Sequence, residues 1–221
     1  MTKVFLAGAS RGVGREIAKQ LVIANHEVTA LLRSEQAKTD LEALGIATAI
    51  GDALDADATK QAVSEQSPEA VVSTIGGLPS DGGVRADFAG NQNLIDAAVA
   101  AGAKQFILIS SIGSGESKQA LPPRALETLG AVLKEKEQAE AYLAKSGLDY
   151  TVIRPGGLIS QPATDSEVLT EDASVAGSIP RAAVARLAVK CLESDRAKNK
   201  TLSAIDTSMQ RSSQDFEVFE L

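Results

Sequence analysis

The chain has one cysteine, Cys191, in 221 residues, so no disulfide can close within it. That usage fits a reducing compartment. One histidine, His26, leaves no material for a His/Cys metal cluster. It also falls just before an expected strand, at the wrong end of a sheet for a Ser-His-Asp arrangement, and reads as a surface-turn residue. Tryptophan is absent and aromatics make up 3%, which removes the stacking platforms that single-stranded nucleic acid requires. The net charge of -7 argues against nucleic acid and anionic membrane surfaces as partners. No apolar run approaches the ~20 residues that cross a bilayer. The N-terminus enters a strand pattern at once, without the charged start, apolar stretch and cleavage site of a signal peptide. The expectation is a cytoplasmic protein, monomer or weak dimer, with a small-molecule partner.

Short apolar runs alternate with helical periods along nearly the whole chain. Strands are expected at 4–7, 28–32, 46–50, 70–75, 106–109, 150–153 and 202–205. Helices are expected at 13–24, 37–44, 55–65, 88–101, 125–145 and 181–192, several closed by a glycine. Strands rich in Val, Ile and Leu suit positions buried on both faces. The pattern predicts a doubly wound α/β fold, a mainly parallel Rossmann-type sheet with helices on both faces and ligands at the carboxyl ends of the strands. One domain is expected over 1–207, with a polar tail at 208–221 that either frays or docks. Two stretches, 113–124 and 156–178, read as irregular and, following strands, as lying over the ligand edge. Cys191 sits in an apolar helical pattern and reads as packing.

Gly8-Ala9-Ser10-Arg11-Gly12-Val13-Gly14 follows the first strand and opens the first helix. Glycines at this spacing allow a tight turn, backbone approach to a diphosphate, and close packing of helix on strand. The helix N-terminus then offers free N–H groups and partial positive charge. An acidic residue about 20 positions on would hold a ribose hydroxyl. Arg33 stands there instead, with Arg11 as a second cation, so NADP(H) is the expected cofactor. Asp52 and Ala53, after the third strand, suit the adenine. Ile75, Gly76 and Gly77, after the fourth, suit the ribose and diphosphate.

The runs GASRGVG, GDALD, STIGG, ILISSIG and LDYTVIRPGGL resemble the atypical short-chain dehydrogenases/reductases of the NAD(P)H-binding type, across residues 3–206. Within that family, the Leu121-Pro122-Pro123-Arg124 segment, the short substrate lobe and the length resemble the biliverdin-IXβ reductases, or NADPH-dependent flavin reductases. The resemblance implies that Gly8, Ser10, Arg11, Gly12 and Val13 cradle phosphates, with Arg33 at the 2′-phosphate. It implies Ser110 and Ser111 beside the nicotinamide and Pro155, Gly156, Gly157 and Leu158 as the wall near its ring.

The chain departs from the family pattern in one respect. The usual Tyr, with a Lys four residues later, is missing: the resemblance aligns Val132 with the Tyr and Lys136 with the Lys. Lys136 is then either a ribose ligand or a solvated helix lysine. Reducing a ketone needs a positioned acid, worth typically 10²–10⁴-fold. A flavin or linear tetrapyrrole accepts hydride at a delocalised position and takes its proton from water. An aromatic or tetrapyrrole acceptor is therefore expected, stacked by proximity and orientation. Ser111 is placed nearest the hydride path. Leu121, Pro122, Pro123, Leu158 and Ile159 are candidates for the apolar wall, and Lys118 and Arg124 for acidic groups on the acceptor. The competing reading, which the missing Tyr also fits, is a non-catalytic NADP(H) sensor or assembly factor.

Overall fold

The computed structural model describes residues 1–77, 83–212 and 215–221. The chain begins with β1 (Lys3–Ala7), α1 (Gly12–Ile23), β2 (Glu27–Leu32), α2 (Lys38–Glu42), β3 (Ala47–Ile50), α3 (Ala56–Gln66), β4 (Ala70–Ser73) and α4 (Ala89–Ala100). It continues with β5 (Gln105–Ile109), α5 (Pro123–Leu143), β6 (Asp149–Pro155), β7 (Gly157–Ile159), β8 (Glu167–Thr170), β9 (Ser178–Pro180), α6 (Arg181–Glu193) and β10 (Lys200–Asp206). The main sheet runs β3-β2-β1-β4-β5-β6-β10-β8. Every neighbouring pair in it is parallel except β10 with β8. This is the doubly wound Rossmann-type architecture, with strand order reversing between β1 and β4.

Successive residues of each strand point to opposite faces, and the core divides accordingly. Val4, Leu6, Val28, Ala30, Val72 and Ile107 pack with Ile17 and Leu21 of α1 and Val184 and Leu187 of α6. Phe5, Leu31, Val71, Phe106, Leu108 and Val152 pack on the other face with Val63 of α3, Leu94 and Ile95 of α4 and Leu143 of α5. Phe5 and Phe106 are fully buried. Each such aromatic contributes about 1.5–3 kcal/mol over an exposed position.

Three departures from the sequence expectation have physical causes. α5 starts at Pro123 rather than 125, because Pro122 takes an extended conformation (φ −68°, ψ 152°) and Pro123 is preorganised for N1. The stretch 156–178 is not wholly irregular: β7 pairs in parallel with β9, and β8 joins the sheet edge antiparallel to β10. Runs of three and four residues that follow one another with no helix between them lack the alternation by which β3 and β4 are read. His26 is no solvated turn residue. Its ring is 5% exposed, accepts the Thr2 N–H at Nδ1 (3.2 Å) and meets Glu193 at Nε2 (3.2 Å). It lies at the amino edge of the sheet, as expected.

The tail docks at Phe219, whose N–H donates to the Leu169 carbonyl (2.7 Å). Its ring lies under Arg196 (6.0 Å) and Lys200 Nζ (5.7 Å). Residues 213 and 214 of this tail lie outside the described residues.

Cys191 is buried in α6, and burial pushes its thiol up to about 12. Thiolate is therefore scarce at pH 8, and the thiolate is the nucleophile. A disulfide reagent at pH 8 is expected to leave the folded protein unlabelled and to label one thiol once denaturant unfolds it. Rapid native labelling would mean that α6 opens locally.

Candidate active site at the carboxyl edge of the sheet

The first turn is built by close approach. Gly8 (φ +94°) and Gly14 admit no side chain: a Cβ on Gly8 would press into Thr74 Oγ1, and one on Gly14 into the Gly8 carbonyl. Thr74, just past β4, donates its hydroxyl to the Ala7 carbonyl (3.2 Å) and lies within 3.3 Å of the Gly8 carbonyl. The turn is thus clamped to the neighbouring strand across the switch point. No side chain caps α1 and no acidic residue occupies its first turn. Ser10, Arg11 and Gly12 are exposed there, with Val13 buried beneath. An uncapped N-terminus in a glycine cradle fits the diphosphate of a dinucleotide.

Arg33 stands exposed past β2. Neither it nor Arg11 has a carboxylate within ion-pair distance among the described residues. Glu35, which competes for Arg33 in sequence, lies 3.7 Å from Lys38 instead. Arg15, on α1, lies 3.7 Å from Asp40 and keeps Nη1 buried without a partner. Asp52 is exposed past β3, with one oxygen accepting the Leu54 N–H (3.0 Å). Ala53 is buried, and its carbonyl accepts the Asn93 amide (2.8 Å).

Past β4, Ile75 is half-buried and Gly76 and Gly77 are exposed, both at positive φ. The Gly77 N–H donates to Asp87 Oδ2 (2.9 Å). Asp87 is fully buried, and Lys136 Nζ of α5 lies 3.2 Å from its Oδ1. Lys136 is thus held by an acid beside Gly76, not solvated.

Past β5, Ser110 is buried and donates its hydroxyl to Glu140. Arg154 of β6 answers with Nε (3.2 Å) and Nη2 (2.7 Å) on the same carboxylate. Ser110 therefore belongs to a buried Ser–Glu–Arg network. Ser111 is half-buried and donates only to the Ile112 carbonyl (2.9 Å). Past β6, Pro155 is buried, Gly156 half-buried, and Gly157 and Leu158 exposed. Leu121 packs under Gly113 against Leu133, while Pro122, Pro123 and Arg124 face solvent. Lys118 is engaged by Glu137 (2.6 Å).

The edge thus gathers the turn, Arg33, Asp52, Gly76, Lys136, Ser111 and Gly156, each at or beside a strand end. Both tyrosines lie elsewhere. Tyr142 donates to Asp96 of α4 (2.7 Å), which raises its pKa, and Tyr150 opens β6 at the amino edge. Among the described residues no group of acidic, His and Cys side chains could hold a metal ion. The sequence reading missed Thr74, Asp87, Glu140 and Arg154. Glu140 had a signal: Leu133, Lys136, Glu140 and Leu143 share one helical face, and three of them are buried.

A sequence profile described as NAD(P)H-binding matches residues 8–195. The chain is similar over its length to the structure of ChuY, an anaerobillin reductase of Escherichia coli O157:H7. That likeness has a TM-score of 0.86 and 30% identity and covers 96% of this chain and all of the other. It is 37% identical over 121 residues to sanguinarine reductase of Eschscholzia californica, 52% of this chain and 42% of that one. It is also 32% identical to the chloroplastic protein TIC 62 of Oryza sativa subsp. japonica, over 87% of this chain and 43% of TIC 62.

Removing one partner of a buried ion pair strands the other charge. Glu140→Ala is expected to destabilise the protein by about 3–5 kcal/mol in denaturant unfolding. The double change Glu140→Leu with Arg154→Met is expected to recover most of that loss. A single-variant cost under about 1 kcal/mol would mean that water reaches the network.

Proposed function

The chain belongs to the NAD(P)H-binding family, and from that premise we propose that it is an NADPH-dependent reductase delivering hydride to a flavin or bilin-type conjugated acceptor. One observation carries the choice of acceptor. At the strand ends that carry Gly76, Lys136 and Ser111, the buried acids Asp87 and Glu140 are both already engaged. Glu140 is committed to Arg154 and Ser110, and Asp87 to Lys136 and Gly77. Val132, half-buried, stands one helical turn before Lys136, where the family pattern has its tyrosine. A valine cannot protonate an alkoxide, so the acceptor must spread the incoming charge itself.

The bound cofactor supplies hydride, and the protein supplies position. The glycine turn holds the diphosphate and Arg33 the 2′-phosphate. Asp52 and Ala53 face the adenine. Ile75, Gly76 and Gly77 line the ribose side, where Lys136 is fixed by Asp87. Ser111, the half-buried hydroxyl beside the ring position, orients the carboxamide or a water. Pro155, Gly156, Gly157 and Leu158 wall the ring. Leu158 and Pro123 offer exposed apolar surface on which a flat acceptor can lie, and Arg124, exposed in the first turn of α5, meets its acidic groups. The two relatives named as reductases support this reading. The alternative, a dinucleotide-binding assembly factor, is favoured by 25% identity, over 92% of this chain and 62% of the other, to the photosystem II assembly factor Ycf39 of Synechocystis.

NADPH consumption with FMN or biliverdin, against NADH controls, separates the two. Acceptor-dependent, NADPH-selective loss of absorbance is expected. Tight binding without turnover would turn the reading to the assembly role. Arg33→Ala is expected to weaken NADPH by about tenfold or more, as for hydrogen bonds to a charged group, and to leave NADH nearly unchanged. Equal losses would remove Arg33 from the 2′-phosphate. Ser111→Ala is expected to lower turnover about three- to tenfold with NADPH affinity retained. Unchanged turnover would leave Ser111 a strand-end residue.

A further inference from the structure

Arg181 is the first residue of α6, directly after β9, and is remote in sequence from the glycine turn. In space the two meet: a Cβ built on Gly12 would lie 4.0 Å from Arg181 Nε. The guanidinium therefore stands beside the first residue of α1, at the helix end that no side chain caps. Its Nη1 donates to Ser160 Oγ (2.9 Å), one residue past β7. Among the described residues it has no carboxylate within ion-pair distance. Arg186, one turn along α6, shows the contrast, with Asp165 at 2.5 Å and Glu167 at 2.8 Å.

This placement is electrostatically costly without an anion. A fixed positive charge faces the positive end of a helix dipole. The chain carries 29 acidic residues against 22 Lys and Arg, so acids were available to neutralise it. With Nη1 on Ser160, Nε and Nη2 remain as a pair of parallel donors, the geometry that grips phosphate oxygens.

We propose that Arg181 is a ligand of the dinucleotide's diphosphate, closing over the glycine turn and tying the β7–β9 lobe to the cofactor. The inference rests on the NAD(P)H reading and adds to it a residue from the far half of the chain. The diphosphate, rather than the 2′-phosphate, is the target because Gly12 belongs to the turn after β1, whereas Arg33 follows β2. The contact also has a consequence for the acceptor. Gly157 and Leu158 of β7 stand beside Ser160, so an anion that fixes Arg181 fixes the wall on which the acceptor lies.

The test is a titration of the full chain and Arg181→Ala with NADPH, NADH and adenosine 2′-monophosphate. The cofactor-free unfolding midpoint is checked alongside. Arg181→Ala is expected to weaken NADPH and NADH by the same factor, about tenfold or more. Adenosine 2′-monophosphate, which lacks the diphosphate, is expected to bind both proteins alike. Wild-type affinity of the variant for both dinucleotides would overturn the proposal and leave the cofactor reading standing. A loss confined to NADPH would overturn it too, by moving Arg181 to the 2′-phosphate. A wild-type protein that binds neither dinucleotide would overturn the cofactor reading itself. Should the alanine variant not fold, Arg181→Lys keeps the charge and loses the fork. An equal loss of about threefold for both dinucleotides then supports the assignment, and no loss overturns it.

Discussion

Burial of the parallel sheet on both faces is the constraint from which the rest of the molecule follows. Phe5 and Leu6, neighbours in β1, are both fully buried, one under each helical layer. With both faces consumed by packing, a ligand can reach the sheet only at its ends. The two ends differ, because helices that follow strands present N-termini at the carboxyl edge. After β1 the chain passes to α1 on one face, and after β4 to α4 on the other. That divergence opens the crevice between them. Thr74 fixes its floor by bonding back to the turn after β1.

Charge at that edge is divided by partnership. Glu140, Asp87, Arg154 and Lys136 are paired with one another, buried or nearly so, and hold strand ends in place. Among the described residues, Arg11, Arg33 and Arg181 stand without acids. In a chain of net charge -7, the proposed function reads the paired groups as scaffold and the unpaired ones as ligand contacts. Paired ions in low dielectric contribute rigidity at a desolvation cost, whereas unpaired guanidinium groups at a glycine turn leave a field for an anion. Lys136 and Ser110 lie on the paired side of this division. The sequence offers both as ligand contacts, and the fold gives each a buried acid.

Legibility followed the length of the repeating signal. β1, β2 and β5 show as continuous apolar runs, and α1, α4 and α6 show period 3.6 over enough residues to be read directly, and they carry the Rossmann architecture. The glycine turn was legible because its spacing is tied to the strand before it and the helix after it. β7, β8 and β9 were not, because these short runs lack the alternation with helices that marks β3 and β4, and β8 finds its partner far along the chain. The pairings Asp87–Lys136 and Glu140–Arg154 were hidden for the same reason. Each depends on which elements the sheet order brings together. The docking of Phe219 on Leu169 is equally non-local, since its cation partners Arg196 and Lys200 come from the segment around the start of β10.

The replacement of a phenol by Val132 has consequences beyond a lost proton. A tyrosine there would sit one turn before Lys136 and draw on its ammonium to ionise. With valine there, Lys136 lies 3.2 Å from Asp87, and Asp87 in turn accepts the Gly77 N–H. The Gly76–Gly77 backbone is then held beside that ion pair. Under the proposed function such a site discriminates among acceptors by shape and charge delocalisation rather than by acid strength, so an acceptor that stacks and spreads its charge is the expected substrate and a simple ketone is not. The same rigidity serves a protein that only binds the dinucleotide, so turnover rather than affinity decides between the two roles.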